Sequence, residues 1–321
     1  MPPGAVIVVG AGPAGCAAAV QCRRLGLGVR LIDRRGEPGG LVANAHRIEN
    51  YPAAGKLSGP QLARRLAEHL AAFEVRVERA TASSFTRGRA GRYALETDAG
   101  HLEGDCLIVA TGTRPLSLEI PGAAEQMGER LFHEVRDLLA RVPRPGAVWI
   151  VGGGEAAFDY ALTLEEAGAR VALLLRGPRP RACARLIAQV AGRPRIEVRA
   201  RAVPAGIRRV GPRLVLSLGG RGGSGHPPPR GRGEDASAPL GEIAGDAGLV
   251  AIGRRSAADD LIGPRAAGGA RAMRLRPGLF VAGDARWGAL GQAGMAVGDG
   301  IAAALLAAED ALSGKRTARG R

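Results

Sequence analysis

An α/β fold with two parallel-sheet domains is what this 321-residue sequence predicts, and three observations predict it. The first is Val6-Ile-Val-Val-Gly10-Ala-Gly12-Pro13-Ala14-Gly15, where four β-branched residues run through Gly-x-Gly-x-x-Gly into an Ala-rich stretch. That is the pattern of a strand, a tight turn and a helix. The second is a later copy, Ala147-Val-Trp-Ile-Val-Gly152-Gly-Gly154-Glu155-Ala156-Ala157, with Ala157 in place of the third glycine. The third is an echo: Leu102 to Gly112 and Ile243 to Gly253 share a spacing, Asp105 matching Asp246 and Gly112 matching Gly253. The echo predicts two crossings out of one fold.

Each residue of the first pattern has a chemical reason. Gly10 makes the turn, Gly12 lets a pyrophosphate approach the backbone, and Gly15 lets helix and strand pack closely. Phosphates then lie at the helix N-terminus, where free N–H groups and the positive dipole end point outward. A second apolar strand, Gly28-Val-Arg-Leu-Ile, ends in Asp33, whose carboxylate is placed to accept from an adenosine ribose. These residues predict a dinucleotide site. In the later copy the second strand, Arg170 to Leu175, ends at Arg176 with no acid. Arg176 and Arg181 are placed to hold a 2′-phosphate that an acid would repel, which favours NADPH over NADH.

Taken in order, the chain continues through a glycine-rich loop, Glu37-Pro-Gly39-Gly40-Leu41, and a compact turn, Ile48-Glu-Asn50-Tyr-Pro52. Ser58 reads as an N-cap and Pro60 as a first-turn residue of a helix to about Phe73. Short strands are expected around 75–77, 82–85 and 93–97, then one buried strand from Leu102 closing on Thr111-Gly112. Residues 195–218 read as further short strands, and 219–239, rich in Gly, Pro and Arg without apolar periodicity, as a disordered surface loop. Pro277 to Ala282 is a strand ending in Gly283-Asp284, a carboxylate that fits a ribityl hydroxyl of a flavin. Gln292 precedes an Ala-rich helix to about Leu312, and Lys315 to Arg321 reads as a frayed basic tail.

Composition narrows the function classes. The formal charge is +15, yet all but two of the 45 basic residues are Arg and they are scattered without aromatic interleaving, so nucleic-acid binding is not expected. No basic region precedes the first apolar run and no stretch approaches a membrane helix, since Asp299 interrupts Gly294 to Ala308. A cytoplasmic location is expected. The four cysteines, Cys16, Cys22, Cys106 and Cys183, are too few and too scattered for a disulfide framework or a metal site. Cys16 and Cys22, six residues apart on one helix, stand roughly 9 Å from each other, beyond the reach of a bridge. His46 and His133 are candidate proton relays, against a plain surface role.

The set resembles the low-molecular-weight thioredoxin reductase group over about residues 4–312. Gly39-Gly40, Glu49-Asn50-Tyr51-Pro52, Ser58-Gly-Pro, Ala110-Thr111-Gly112, Ile120-Pro-Gly122, Gly152-Gly-Gly154, Gly283-Asp284 and Gln292-Ala293 fall in that group's order. The resemblance implies two interleaved Rossmann-like dinucleotide-binding domains, an FAD domain (1–115 and 244–321) with an inserted NAD(P)H domain (116–243), and a homodimer. By it, Gly10, Gly12, Pro13, Ala14, Gly15, Asp33, Gly39, Gly40, Leu41, Asn50, Thr111, Gly112, Gly283, Asp284, Gln292 and Ala293 would touch FAD. Gly152, Gly154, Glu155, Ala156, Arg176 and Arg181 would touch NADPH.

One departure stands out. Where that group carries its active Cys-x-x-Cys, this chain has Val135-Arg-Asp-Leu138. In this it is similar to the ferredoxin-NADP reductases of the same fold, without their aromatic C-terminal segment. Gly291 stands where an Arg is usual, with Trp287 nearby as packing or a flavin stack. The expected chemistry is hydride transfer from NADPH to FAD and then directly to an external acceptor, such as an acidic ferredoxin or flavodoxin. The alternatives are a disulfide reductase using cysteines not recognisable from the sequence, and a non-catalytic flavin-binding redox sensor.

Overall fold

The computed structural model describes residues 4–52, 54–88, 91–219, 241–263 and 273–318, with side chains as far as residue 311. The chain divides into two compact units, Met1–Arg114 with Arg254–Arg321, and Pro115–Gly253.

The first unit begins with β1 (Ala5–Val9), α1 (Pro13–Arg24), β2 (Gly28–Asp33), α2 (Gly59–Ala72) and β3 (Val77–Arg79). A meander follows, β4 (Ala82–Arg87), β5 (Tyr93–Thr97) and β6 (Gly100–Gly104), then β7 (Cys106–Val109) and β8 (Thr113–Pro115). The second unit holds α3 (Ala123–Gln126), β9 (Leu131–Phe132), α4 (Val135–Arg141), β10 (Ala147–Val151), α5 (Glu155–Glu166) and β11 (Arg170–Leu174). It continues with α6 (Ala184–Ala191), β12 (Ile196–Arg199), a second meander, β13 (Val203–Val210), β14 (Arg213–Gly219) and β15 (Gly241–Gly245), and β16 (Ala247–Val250). The chain re-enters the first unit with β17 (Arg254–Ser256), α7 (Asp259–Ile262), β18 (Arg274–Arg276), β19 (Leu279–Val281), α8 (Asp284–Trp287) and α9 (Ala293–Ala318).

A six-stranded sheet in the order β18-β19-β7-β1-β2-β3 anchors the first unit, and a five-stranded sheet, β12-β11-β10-β16-β9, anchors the second. Their central strands are unbroken apolar runs because both faces are covered: Cys106 to Val109, Ala247 to Val250 and Val148 to Val151 are all buried. α2 starts where the sequence places it, since Ser58 accepts from the Gln61 N–H and the Gln61 side chain returns the bond, a complete capping box.

The echo proves to be a repeat of the whole unit. The expected single strand from Leu102 to Gly112 is two strands in different sheets, with Asp105 between them. β7 pairs in parallel with β1, and β16 pairs in parallel with β10, so each copy closes its own sheet instead of leaving a shared one. The two acids do the same work. Asp105 accepts from the Ala5 N–H at 3.0 Å, and Asp246 accepts from the Gly146 and Ala147 N–H groups at 2.7 and 3.1 Å. Each carboxylate satisfies the first backbone donors of a fingerprint strand, groups that have no ladder partner. Because β16 belongs to the second sheet, the return to the first unit falls at Arg254, about ten residues beyond the expected 244.

The final helix also exceeds its expected end: α9 runs to Ala318 and takes in Lys315, which the sequence places in a tail. Residues 220–240 of the Gly/Pro-rich stretch, and 319–321, lie outside the described residues. α9 packs on α1 at very short range, because a Cβ on Gly300 would overlap the carbonyl oxygen of Ala14. Gly298, two residues earlier, has open space where its Cβ would point.

These two glycines on one helix should therefore respond oppositely to alanine. Gly300→Ala forces the two helices away from each other and should destabilise the chain by about 1–3 kcal/mol, whereas Gly298→Ala should stabilise it by about 1 kcal/mol through helix propensity. Urea unfolding of both variants checks the pair.

Candidate functional site

Four parallel strands of the first sheet, β19, β7, β1 and β2, finish on one edge. Just past their ends lie Gly283-Asp284, Thr111-Gly112, the Gly10–Pro13 turn and Asp33. This is the carboxyl edge at which open α/β sheets bind ligands. Gly10 turns with φ +103° and donates its N–H to Ile32 at 2.8 Å. A Cβ on Gly10 would press on the Ala110 carbonyl, and one on Gly15 would overlap the Gly10 carbonyl oxygen. Helix α1 therefore rises directly from the turn, with Pro13 as its first residue and Ala14 and Gly15 buried. Gly12, by contrast, faces open space.

The other expected residues assemble around this turn. Asp33 accepts from the Ala11 N–H at 3.0 Å and from the Arg35 N–H at 2.8 Å. Each oxygen keeps a lone pair for a ribose hydroxyl. Gly39 donates to the Ala11 carbonyl at 2.8 Å, and a Cβ on Gly40 would stand 3.0 Å from the Gly12 Cα, so the loop leading into Leu41 lies against the fingerprint. Asn50 donates to Gln292 at 2.6 Å, joining residues far apart in sequence, and Ala293 opens α9 beside them. The Thr111 hydroxyl is buried with no partner among the described residues. A buried hydroxyl without a partner is costly unless a ligand supplies one. Together with the open face at Gly12, it fits a dinucleotide laid along this edge.

In the second unit the same edge carries different chemistry. α5 begins at Glu155 and Ala156, both exposed, and a Cβ on Gly154 would meet nothing. β11 is followed by Leu175, which stands where β2 presents Asp33, and then by the exposed Arg176. The Arg181 N–H donates to the Gly153 carbonyl at 2.6 Å, which draws the arginine loop onto the glycine turn. Arg176, Arg179 and Arg181 are exposed and pair with no carboxylate among the described residues.

A family model for pyridine nucleotide-disulphide oxidoreductases matches residues 4–300. The chain belongs to that family. Among curated relatives, it is 27% identical to a thioredoxin reductase of Bacillus subtilis over 186 residues, 55% of each chain. It is 34% identical to a ferredoxin–NADP reductase of Ralstonia pickettii over 183 residues, 53% of this chain and 50% of that protein. The chain thus spans about half the length of the curated relatives it matches. In structure it is similar to the thioredoxin reductase of Lactococcus lactis, with a TM-score of 0.81 and 24% identity over 97% of this chain and 99% of that one. That of T. acidophilum gives 0.78 and 25%, over 96% and 98%. The fold is thioredoxin reductase-like, with two Rossmann domains.

Val135 and Leu138 are 1% and 0% exposed at the start of α4, packed in the core with Phe132 and Phe158. Cys16, Cys22 and Cys106 are buried, and burial pushes all three thiols up to about 12. The fold does bring Cys22 and Cys106 close enough to influence each other, a pairing the sequence spacing conceals. Both are sealed in the core between α1, β7 and α9, where a thiolate is disfavoured. Cys183 alone is exposed. His133 is held by the Val250 carbonyl at 3.2 Å through Nδ1.

Three residues of the first unit carry roles that the sequence pattern does not reveal. Arg254 donates to the Thr113 hydroxyl at 2.8 Å and acts electrostatically on Asp284. Asp299 and Arg286 pair at 2.7 Å, and Asp299 also accepts from the Trp287 indole at 2.8 Å, so Trp287 packs between an acid and the Arg286 guanidinium 4.7 Å above its ring. The available signal was Asp299 itself, the one acid in the apolar stretch from Gly294 to Ala308. Asp284 is half-buried, and this burial raises its pKa, with Arg254 opposing and Asp299 adding to the rise.

Two outcomes follow from these environments. A thiol reagent should label one cysteine per native chain and four after denaturation, by absorbance titration. Asp284 binds its proton more tightly in the folded apoprotein than in the unfolded chain, so its contribution is favourable in acid and is lost as pH rises through the folded value. Asp284→Asn should accordingly raise the melting temperature of the apoprotein at neutral pH and leave it little changed in acid, by differential scanning calorimetry.

Proposed function

We propose that the chain is an FAD-dependent NADPH oxidoreductase that hands electrons from the flavin directly to an external acceptor, without an internal dithiol. The observation that carries this reading is the apolar pair Val135 and Leu138, buried at the head of α4, together with three thiols held in the core. No residue there can take up electrons from a flavin. FAD suits the first unit, where Asp33 and Asp284 offer carboxylates to ribose and ribityl hydroxyls and Thr111 has an unused hydroxyl. NADPH suits the second, where Arg176 and Arg181 offer guanidiniums to a 2′-phosphate. When bound, the two cofactors supply hydride transfer and its onward delivery, while the protein supplies binding, orientation and charge.

An acidic redox protein of the ferredoxin or flavodoxin kind is the favoured acceptor. A formal charge of +15 favours such a partner, and one curated relative is named a ferredoxin–NADP reductase. A homodimer belongs to the same reading, by resemblance.

The reading makes measurable statements. An anaerobic NADPH titration should consume about two electrons per FAD and expose no new thiol, since only the flavin is there to be reduced. A variant with all four cysteines changed to Ser should keep full NADPH-dependent dye reduction; loss of that activity would restore a thiol mechanism. Arg176→Ala should raise KM for NADPH about tenfold or more and leave KM for NADH nearly unchanged, the loss of a charge-assisted bond to phosphate. Reduction of an acidic protein acceptor should slow as salt is raised.

A further inference from the structure

Asp299 lies in α9, fifteen positions beyond Asp284 in sequence and directly against the turn that carries it. It is 9% exposed, an unusual place for an acid, and all its visible bonds go to one short segment. Oδ2 accepts from the Gly283 N–H at 3.2 Å and from the Trp287 indole at 2.8 Å, while Oδ1 takes the Arg286 guanidinium at 2.7 Å. One carboxylate therefore clamps both ends of α8, whose first residue is Asp284.

The segment needs such a clamp. Gly283 turns with φ +69° against α1, where a Cβ would stand 2.7 Å from the Ala14 side chain. On its other side the Asp284 carboxylate fills the space above Gly291 that any side chain there would occupy. Nothing in a helix of four residues is strong enough to hold this geometry alone.

We propose that Asp299 is a positioning residue for flavin binding: it fixes the Gly283–Trp287 turn and, with Arg286, sets the charge felt by Asp284. It acts through Asp284 and needs no contact with the ligand. This rests on the reading of the first unit as the flavin site. The charged groups facing Asp284 are Arg254 from β17 and Asp299 from α9, and Arg286 compensates Asp299. Deleting the acid and deleting its cation must therefore move the ionisation of Asp284 in opposite directions.

The test is the FAD dissociation constant across the acid-to-neutral range for wild type, Asp299→Asn and Arg286→Met, with apoprotein melting to confirm folding. Wild type should lose FAD on acidification as Asp284 takes up its proton. Asp299→Asn should weaken FAD about tenfold or more at neutral pH, one hydrogen bond to a charged group, and shift the midpoint of acid release to lower pH. Arg286→Met leaves Asp299 uncompensated and should shift that midpoint to higher pH. Equal losses at every pH, or midpoints that do not separate in these directions, would overturn the proposal, since a purely structural clamp weakens binding without moving the titration. If one variant does not fold, the shift in the other decides alone. A wild type that holds no FAD would instead bring down the functional reading on which the proposal stands.

Discussion

The closeness of α1 to the strand before it is the constraint on which the first unit depends. A Cβ on Gly15 would occupy the carbonyl oxygen of Gly10, and a Cβ on Gly300 would occupy that of Ala14. Backbones thus touch with no side chain between them, first helix on turn and then helix on helix. The Gly10–Pro13 turn is held in place from below by these contacts and from the side by Asp33 and Gly39. Its N–H groups are consequently aimed before any ligand arrives, which reduces the ordering cost of binding.

Much of this was legible because glycine and acid positions carry geometric meaning at fixed spacing. The turn at Gly10, the cap at Ser58, the acid at Asp33 and the repeat of Asp105 at Asp246 all mark local events, a strand end or a helix start. The meaning of the repeat was harder to reach. Whether Asp105 and Asp246 serve one sheet or two depends on which strand pairs with which, and parallel pairing leaves no local trace. The same holds for the Asn50–Gln292 bond and for the grip of Asp299 on Trp287, which join positions that only the finished fold makes neighbours. Asp299 was visible as an interruption of an apolar helix, yet its reason lay in another segment.

The two units are variations on one plan. Both have a fingerprint strand, a meander and a returning strand pegged by an acid, and in both the last glycine before the helix faces open space. They differ at the end of the second strand, where one presents Asp33 and the other the apolar Leu175, followed by Arg176. Without the acid, the second unit lacks a charge that would repel a ribose phosphate.

The order of the strands also bears on how the chain matures. Leu107 in β7 pairs with Leu279 in β19, and the entire second unit is translated between them. Until Leu279 emerges, β7 has a neighbour on one side and an unsatisfied row of amides and carbonyls on the other. The second unit is contiguous and can collapse first, on the ribosome, while the first waits with an apolar edge exposed. Nascent chains stalled between these strands should be the ones that aggregate or recruit chaperones, so the insertion that gives the protein its second Rossmann domain also sets a vulnerable interval in its birth.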